Sequence, residues 1–268
     1  NSRMPLVFLV LSACLNVVLD LILIINFKMG VAGAAWATNL SQAISAVLCA
    51  VYIYKKVPAL MPEKRHWRFH KGDTRYQLAT GIPMALQFAI TSSGTMVMQS
   101  AINLFGSEAV AAYTAAGKIH GLLTQGMVAM GQTMAVYSGQ NYGKGDAGRI
   151  RQGVRAALII EVIYSVASAV VVSAALGPSL GLFFSGEVDL AAMMPWARTY
   201  TTICTLFYVP LCTIFIFRNT MQGCGYGFLP MMGGVVELAA RLIVAVIAMD
   251  IHSYWLACAC DPAAWVGA

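Results

Sequence analysis

The sequence has 268 residues, of which 59% are hydrophobic and 10% charged, and its formal net charge is +6. Soluble domains carry about 25% charged residues, so this composition excludes an ordinary soluble protein. The apolar runs are long and continuous, whereas a transmembrane β-barrel would show alternating segments of about ten residues. We therefore predict an all-α integral membrane protein.

Eight apolar segments follow one another along the chain, and each of the first seven is long enough to cross a bilayer, which takes about 20 helical residues. The eighth begins near Tyr254 and stops at the end of the sequence. Spans three and four carry many polar side chains, which indicates a bundle around a polar cavity rather than a set of lipid-bathed anchors. Predicted spans one to seven cover residues 4–27, 31–54, 78–105, 109–141, 154–184, 196–222 and 229–249.

Basic residues concentrate in two stretches that adjoin predicted spans. Seven lysines or arginines lie in the polar segment 55–77, and four more lie between Lys144 and Arg155. The positive-inside rule places both stretches in the cytoplasm, and their position beside spans argues against a nucleic-acid partner. The turns assigned to the outer side carry the acidic residues Glu108, Glu187, Asp189 and Asp250.

These patterns predict three parts. Residues 1–54 form two helices, residues 55–77 form a cytoplasmic linker, and residues 78–268 form six helices of which the last is incomplete. No signal peptide is visible. Because the sequence lacks an initial methionine and its last span stops abruptly, we expect it to be part of a longer protein.

The seven cysteines lie mostly within apolar spans, and none forms a CxxC pair. We expect small buried hydrophobic side chains rather than disulfides or a metal site. The sequence also has no phosphate-binding loop, nucleophile motif or acid–base constellation. Neither an enzyme nor an ATP-driven exporter is therefore expected.

Polar side chains form a stripe on each of spans three and four. Gln87 and Thr91 are four residues apart and share one helix face. Thr114, Lys118 and Gln125 share a face of the next helix, because seven residues make nearly two turns. Two stripes on consecutive helices suggest that both line one cavity, although hydrogen bonds between helices would give the same pattern.

Two cations lie within the predicted spans. Lys118 is about 13 Å from the outer end of its helix, near the middle of the bilayer. A charge at that depth either pairs with a neighbouring helix or faces water. Arg218 lies within about two turns of the cytoplasmic end of span six, so it either extends to the interface or faces the cavity.

The carboxylates within the spans are candidates for ion coupling. Asp20, one turn after Asn16, is either an interface or hydrogen-bonding group or a proton site. Glu161 lies in the middle of span five. Glu237 and Arg241 are four residues apart in span seven, a spacing that favours a structural ion pair.

Several motifs, in this order and spacing, carry a resemblance to a known family and cover nearly the whole chain. They are NSRMPL, LNVVLDLILI, MGVAGAAWATNLSQ, GIPMALQ, AAYTAAGKI, SGQNYG and FRNTMQGCGYGFLPMM. Together they resemble the bacterial branch of the multidrug and toxic compound extrusion (MATE) transporters.

The resemblance implies a MATE-type bundle of twelve helices in two six-helix lobes, arranged as parallel repeats. This chain would supply helices five and six, the linker between the lobes, and helices seven to twelve with the last incomplete. The cavity-facing positions of the second lobe would be Gln87, Thr91, Thr114, Lys118 and Gln125.

The sequence departs from part of the family at the ion site. Sodium-coupled members resemble one another in having carboxylates in helices seven and ten, where this sequence has Thr91 and the acid-free stretch 211–215. Other members have a proton-carrying aspartate in the first helix, which this sequence does not include. The coupling ion, H⁺ or Na⁺, therefore stays open, and no metal or organic cofactor is expected.

The function that the resemblance implies is export of organic cations or drugs in exchange for H⁺ or Na⁺, by a monomer in the bacterial inner membrane. Two alternatives stay open. A lipid-linked oligosaccharide flippase of the same superfamily would favour several basic side chains in the cavity, and only Lys118 and Arg218 qualify. A chain with one complete lobe and part of another could also be inactive on its own.

Overall fold

The structure, a computed structural model, describes residues 3–63, 68–183 and 190–268. These ranges contain ten α-helices and no β-strand, so the predicted all-α class is confirmed. Backbone contacts divide the chain into a first unit of residues 1–70 and a second of residues 71–268. Four residues used in the charge pattern lie outside the described ranges: Lys64, Arg65, Glu187 and Asp189.

The first unit is a helical hairpin. Helix α1 (Arg3–Asp20) continues into a π-helical segment (Leu21–Asn26), and α2 (Gly30–Lys56) packs back against both. Ser45 Oγ donates to the carbonyl of Phe8 at 3.0 Å and helps to join the helices. These helices correspond to predicted spans one and two.

The second unit contains the remaining helices. Extensive contacts join α3 to α8 and α4 to α7, and α8 also packs on α10. The bounds are α3 (Lys71–Ile102), α4 (Ser107–Gly143), α5 (Ala147–Phe183), α6 (Leu190–Leu206), α7 (Tyr208–Gly223), α8 (Phe228–Asp250), α9 (Tyr254–Cys258) and α10 (Cys260–Gly267).

The helix after the predicted linker begins earlier than expected. Helix α3 starts at Lys71, whereas the prediction placed the start of its span at residue 78. Asp73 in the first turn stabilises the positive end of the helix dipole. Residues 71–77, which the prediction assigned to the linker, are therefore the first, polar part of helix α3 and precede its apolar span.

Predicted span six is not one continuous helix. Helices α6 and α7 meet at Phe207 with a bend of 51°. Pro210 accounts for the position of the break, because a proline ring clashes with the carbonyl four residues earlier, here that of Leu206. The last predicted span is likewise broken, at Ala259. Pro262 accounts for this break, because its ring clashes with the carbonyl four residues earlier, that of Cys258.

Small side chains allow the helices of the second unit to approach closely. Helix α4 buries Ala109, Ala112, Ala115 and Ala116 against its neighbours. All seven cysteines are free, and four of them are buried in this unit. The core is thus built from small and aromatic groups, as in other membrane helix bundles.

By length and composition, four described segments can cross a membrane, or five if the bent pair α6–α7 forms one span. The four are Met4–Asn26, Gly30–Lys56, Ala147–Gly181 and Phe228–Asp250. Helices α3 and α4 are long enough but more polar. They are the two helices on which the sequence predicts polar stripes.

Candidate functional site

A network of charged side chains lies inside the second unit. On α7 and α8, Arg218 Nη2 donates to Glu237 Oε1. Arg241 Nη1 lies 3.5 Å from the other oxygen of Glu237, so the predicted pairing of these two residues is confirmed. Arg241 Nε also donates to Oδ1 of Asp261 on α10 at 2.8 Å. Two arginines and two carboxylates thus neutralise one another. The pairing lies in the interior of the unit, since Glu237 and Arg241 are only 2% and 3% exposed.

Gln87 connects α3 to this network. Its terminal amide lies 2.7 Å from Gln222 Nε2 and 3.2 Å from Nη1 and Nε of Arg218. Because arginine can only donate hydrogen bonds, the amide orientation with its oxygen toward Arg218 is favoured. We refer to Gln87, Arg218, Gln222, Glu237, Arg241 and Asp261 as the charge network.

The structure adds a partner for Arg218 that the sequence did not indicate. Its guanidinium is bonded to Glu237, and its side chain is only 13% exposed. Gln87 is also buried, so its side chain belongs to the packed interior of the unit. Helix periodicity identified the face of each residue but not the neighbour that the face would meet.

Helix α3 makes room for the network at Gly94. A Cβ atom at this position would lie 2.9 Å from Cδ and 3.0 Å from Nη1 of Arg241. Such distances are far below normal contact, so any larger residue would displace the arginine from its two carboxylates. The glycine therefore fixes the approach of α3 to α8.

The predicted stripe on α4 is separate from the charge network. Thr114, Lys118 and Gln125 are all exposed on the surface of the second unit. Lys118 has no hydrogen bond or ion pair with any residue that the structure describes. We refer to these three residues as the α4 stripe. Thr91, predicted to face the same cavity, is half-buried on α3, and its hydroxyl has no partner in the described ranges.

Glu161 is buried on α5 and is only 2% exposed. Its Oε2 atom has no hydrogen-bond partner among the residues that the structure describes. The thiol of Cys212 on α7 is close enough to interact with it electrostatically. Because an ionised carboxylate is costly to bury without a partner, this group differs from Glu237, which is bonded on both oxygens.

Asp20 ends α1 in the first unit, where the π-helical segment begins. Its Oδ1 atom is buried and has no partner within the described part of the chain. Its neighbour Asn16 donates instead to Thr38 of α2, at 3.4 Å. Asp20 therefore keeps an oxygen available for a proton or a hydrogen bond.

One member of the charge network was missed from the sequence. Asp261 is the carboxylate that completes the charge network, and the signal for it was a lone acid in an otherwise apolar segment. His120 of α4 bonds to the hydroxyl of Tyr208 at 2.9 Å and stacks on Trp265 with ring centres 6.0 Å apart. Within the described ranges, no group of three His, Cys, Asp or Glu side chains could hold a metal ion.

A sequence model of the MatE family matches residues 83–247, which is more than half of the chain. The chain belongs to the MATE family. It is therefore an α-helical multi-pass protein of the bacterial inner membrane, in a family of transporters.

Two curated MATE relatives are named as probable multidrug resistance proteins. YpnP of Bacillus subtilis is 32% identical over 152 residues, which cover 56% of this chain and 33% of the relative. NorM of Thermotoga maritima is 24% identical over 279 residues, covering 100% of this chain and 56% of the relative. The chain thus spans a third to just over half of the length of these proteins.

The fold is also that of solved members. A MOP superfamily transporter from Pyrococcus furiosus matches with a TM-score of 0.84 at 22% identity, over 97% of this chain and 57% of that one. This similarity covers both units of the chain and supports the MATE-type bundle. At this level of identity it concerns the fold alone.

Proposed function

We propose that the chain forms part of a secondary active exporter of organic compounds. The observation that carries this proposal is the α4 stripe, a set of polar side chains exposed on a long helix. A lysine facing lipid at the centre of a helix costs about 2.5 to 3.5 kcal/mol on insertion scales, and more in other estimates. A stripe that faces a water-filled path avoids this cost.

The relatives support the same proposal. Both YpnP and NorM are named as probable multidrug resistance proteins. In a transporter built from repeats, substrate sites lie near the middle of the bilayer between the repeats. The position of Lys118, about halfway through the bilayer, fits such a site, with Thr114 and Gln125 as hydrogen-bonding neighbours.

The proposed mechanism is antiport driven by protons. Of the three coupling candidates, Glu237 is bonded to two arginines, whereas Glu161 and Asp20 each keep one oxygen without a partner in the described ranges. A lone carboxylate can bind and release a proton. A proton needs only one such oxygen, and within the described ranges Glu161 belongs to no group of three His, Cys, Asp or Glu side chains that could hold a metal ion.

The test uses inverted membrane vesicles from cells that express the full-length gene product. A proton gradient is imposed, and a cationic dye such as ethidium is added; the same is then done with a sodium gradient. We expect dye-dependent collapse of the proton gradient alone. Collapse of the sodium gradient alone would contradict proton coupling, and no response to a panel of cationic dyes would contradict export of organic cations.

A second candidate is export of organic anions, and Lys118 favours it. Every described acidic residue within the membrane-spanning part of the second unit is buried or bonded, whereas the lysine is exposed and unpaired. A cavity with this charge attracts carboxylates or phosphates. The Lys118→Glu variant should export an anionic dye more slowly, and ethidium faster, than the unmodified protein. Unchanged export rates for both dyes would show that the lysine does not lie on the substrate path.

The flippase alternative has less support than the sequence suggested. Holding a pyrophosphate would favour several free cations, and only Lys118 and Arg218 were candidates. Since Arg218 is bonded to Glu237, Lys118 is the one of these two candidates without an ion-pair partner in the described ranges. Undecaprenyl pyrophosphate should therefore not compete with dye export in the vesicles.

We further propose that transport needs a second six-helix unit opposite α3–α10. Alternating access requires two bodies that rock about one site. The 268-residue chain, reconstituted by itself, should therefore not export dye. A rate equal to that of the full-length gene product would overturn this requirement.

A further inference from the structure

A groove lies between α5 and α7, and its lining includes no residue of the charge network or of the α4 stripe. Its volume is about 530 Å³. Two arginines of α5 stand on its wall, and the rest of the lining is apolar except for one threonine. The lining residues used below are Arg151, Arg155, Leu158, Ile159, Phe217 and Thr220.

The two arginines are free to bind an anion. Arg151 and Arg155 are one turn apart on α5 and both are exposed. Neither forms a hydrogen bond or ion pair with any residue in the described ranges. They lie in the first turns of α5, in the basic stretch that the positive-inside rule places on the cytoplasmic side.

The groove becomes apolar as α5 enters the membrane. Ile159 is one turn beyond Arg155 on the same helix face and is 54% exposed. Phe217 of α7, which is 45% exposed, forms part of the opposite wall. Within three turns, one face of α5 thus changes from two arginine side chains to apolar side chains.

Thr220 adds a hydrogen-bonding group to the wall of the groove. Its side chain is 9% exposed, and its hydroxyl has no partner among the described residues. A buried hydroxyl without a partner is unfavourable. A ligand with an acceptor oxygen between the arginines and the apolar wall would satisfy it after a small rotation of the side chain.

We propose that this groove binds an anionic phospholipid of the cytoplasmic leaflet. The phosphate would lie between Arg151 and Arg155, an ester oxygen would accept from Thr220, and an acyl chain would occupy the apolar wall. Basic pockets between transmembrane helices on the cytoplasmic side suit anionic headgroups. Free phosphate fits less well because it would leave the apolar part of the groove unfilled.

The binding experiment uses the purified full-length gene product in a non-ionic detergent. Equal amounts of phosphatidylglycerol and phosphatidylcholine with the same acyl chains are added, and retained lipids are counted by native mass spectrometry. Each arginine near a charged lipid is worth about fivefold in affinity. We expect Arg151→Gln/Arg155→Gln to reduce the preference for phosphatidylglycerol by at least about fivefold, the factor for one arginine.

Two matched controls make the test specific. Arg149→Gln removes an exposed cation of the same helix end that does not line the groove, and it should keep the preference. Ile159→Trp should fill the groove and lower retention of both lipids. Ile160→Trp, at a site with the same exposure that lines a different groove, should leave retention unchanged.

Equal retention of the two lipids by the unmodified protein would overturn the proposal. So would an equal loss in the Arg149→Gln variant, because it would indicate a diffuse basic surface instead of a site. Displacement of phosphatidylglycerol by millimolar inorganic phosphate would show an anion site without a lipid. Dye export does not enter this measurement, so its outcome is independent of the proposed transport function.

Discussion

The Nε atom of Arg241 lies 2.8 Å from Oδ1 of Asp261, so α8 is bonded to a carboxylate of α10 that comes 20 residues later in the chain. Arg241 is buried, and its other contact, with Glu237, is longer at 3.5 Å. Asp261 is therefore the carboxylate that holds this arginine most closely. Its removal would leave a buried positive charge with incomplete compensation.

We expect Asp261→Asn to destabilise the protein by about 3 to 5 kcal/mol, the usual cost of removing one partner of a buried ion pair. The measurement is thermal unfolding of the purified protein in detergent, followed by tryptophan fluorescence. Asp250→Asn, which changes an exposed acid at the end of α8, should shift the midpoint little. Replacing both partners, in Arg241→Met/Asp261→Leu, should recover much of the loss; a double variant as unstable as Asp261→Asn would contradict this account.

Gly94→Ala should destabilise the protein by about 1 to 3 kcal/mol, as overpacking of a buried contact does. The added Cβ would lie 2.9 Å from Cδ of Arg241 and would push the guanidinium away from its carboxylates. Gly81→Ala is the matched control on the same helix, because nothing lies within 4 Å of its added Cβ. Equal unfolding midpoints for the two variants would show that the contact with Arg241 is not tight.

The α4 stripe should be accessible to water. In a background without native cysteines, Lys118→Cys should react with a membrane-impermeant thiol reagent in vesicles of at least one orientation. Ile163→Cys serves as the control, because this residue is 65% exposed on the apolar surface of α5 and should meet lipid. Protection of the cysteine at position 118 by a transported dye would link the stripe to the substrate. Equal reactivity at the two positions would remove the evidence for a polar path.

Glu161→Gln should abolish proton-driven dye export while the protein stays folded. Glutamine keeps the size of the side chain but cannot release a proton, and the native Oε2 has no described partner to lose. Dye binding, measured by fluorescence anisotropy, should persist, which separates coupling from substrate recognition. The exposed Glu108, changed to Gln, is the control for loss of a carboxylate. Normal proton-driven export by Glu161→Gln would move the coupling role to Asp20.

Local patterns could be predicted from the sequence because they depend on spacing along one helix. The pair Glu237–Arg241 follows from a separation of four residues, whereas the sequence left open whether Lys118 pairs with a neighbouring helix or faces water. The bond to Asp261 joins separate helices, and no local rule could find it. Gln87 shows the same limit, since the helical repeat placed it on one face with Thr91 but could not show that it bonds to Gln222 of α7 and lies against Arg218.

The broken span is a different case, because the signal was present but was not used. Pro210 lies inside a stretch that hydropathy describes as one continuous segment. The rule that a proline disturbs the helix one turn before it gives the position of the bend at Phe207. Hydropathy measures affinity for lipid and is insensitive to a missing backbone hydrogen bond.

The interruptions at Phe207 and Ala259 have a joint consequence. Helix α6 contacts α9 and α7 contacts α10, so two broken helices lie side by side with their halves matched. Each break removes backbone hydrogen bonds that would otherwise keep a helix straight. Packing against continuous helices holds the segments that follow the breaks, because α7 contacts α4 extensively and α10 packs on α8. The charge network adds to this, since Arg218 of α7 and Asp261 of α10 both bond to side chains of α8, so ion pairs tie two broken helices to one unbroken helix.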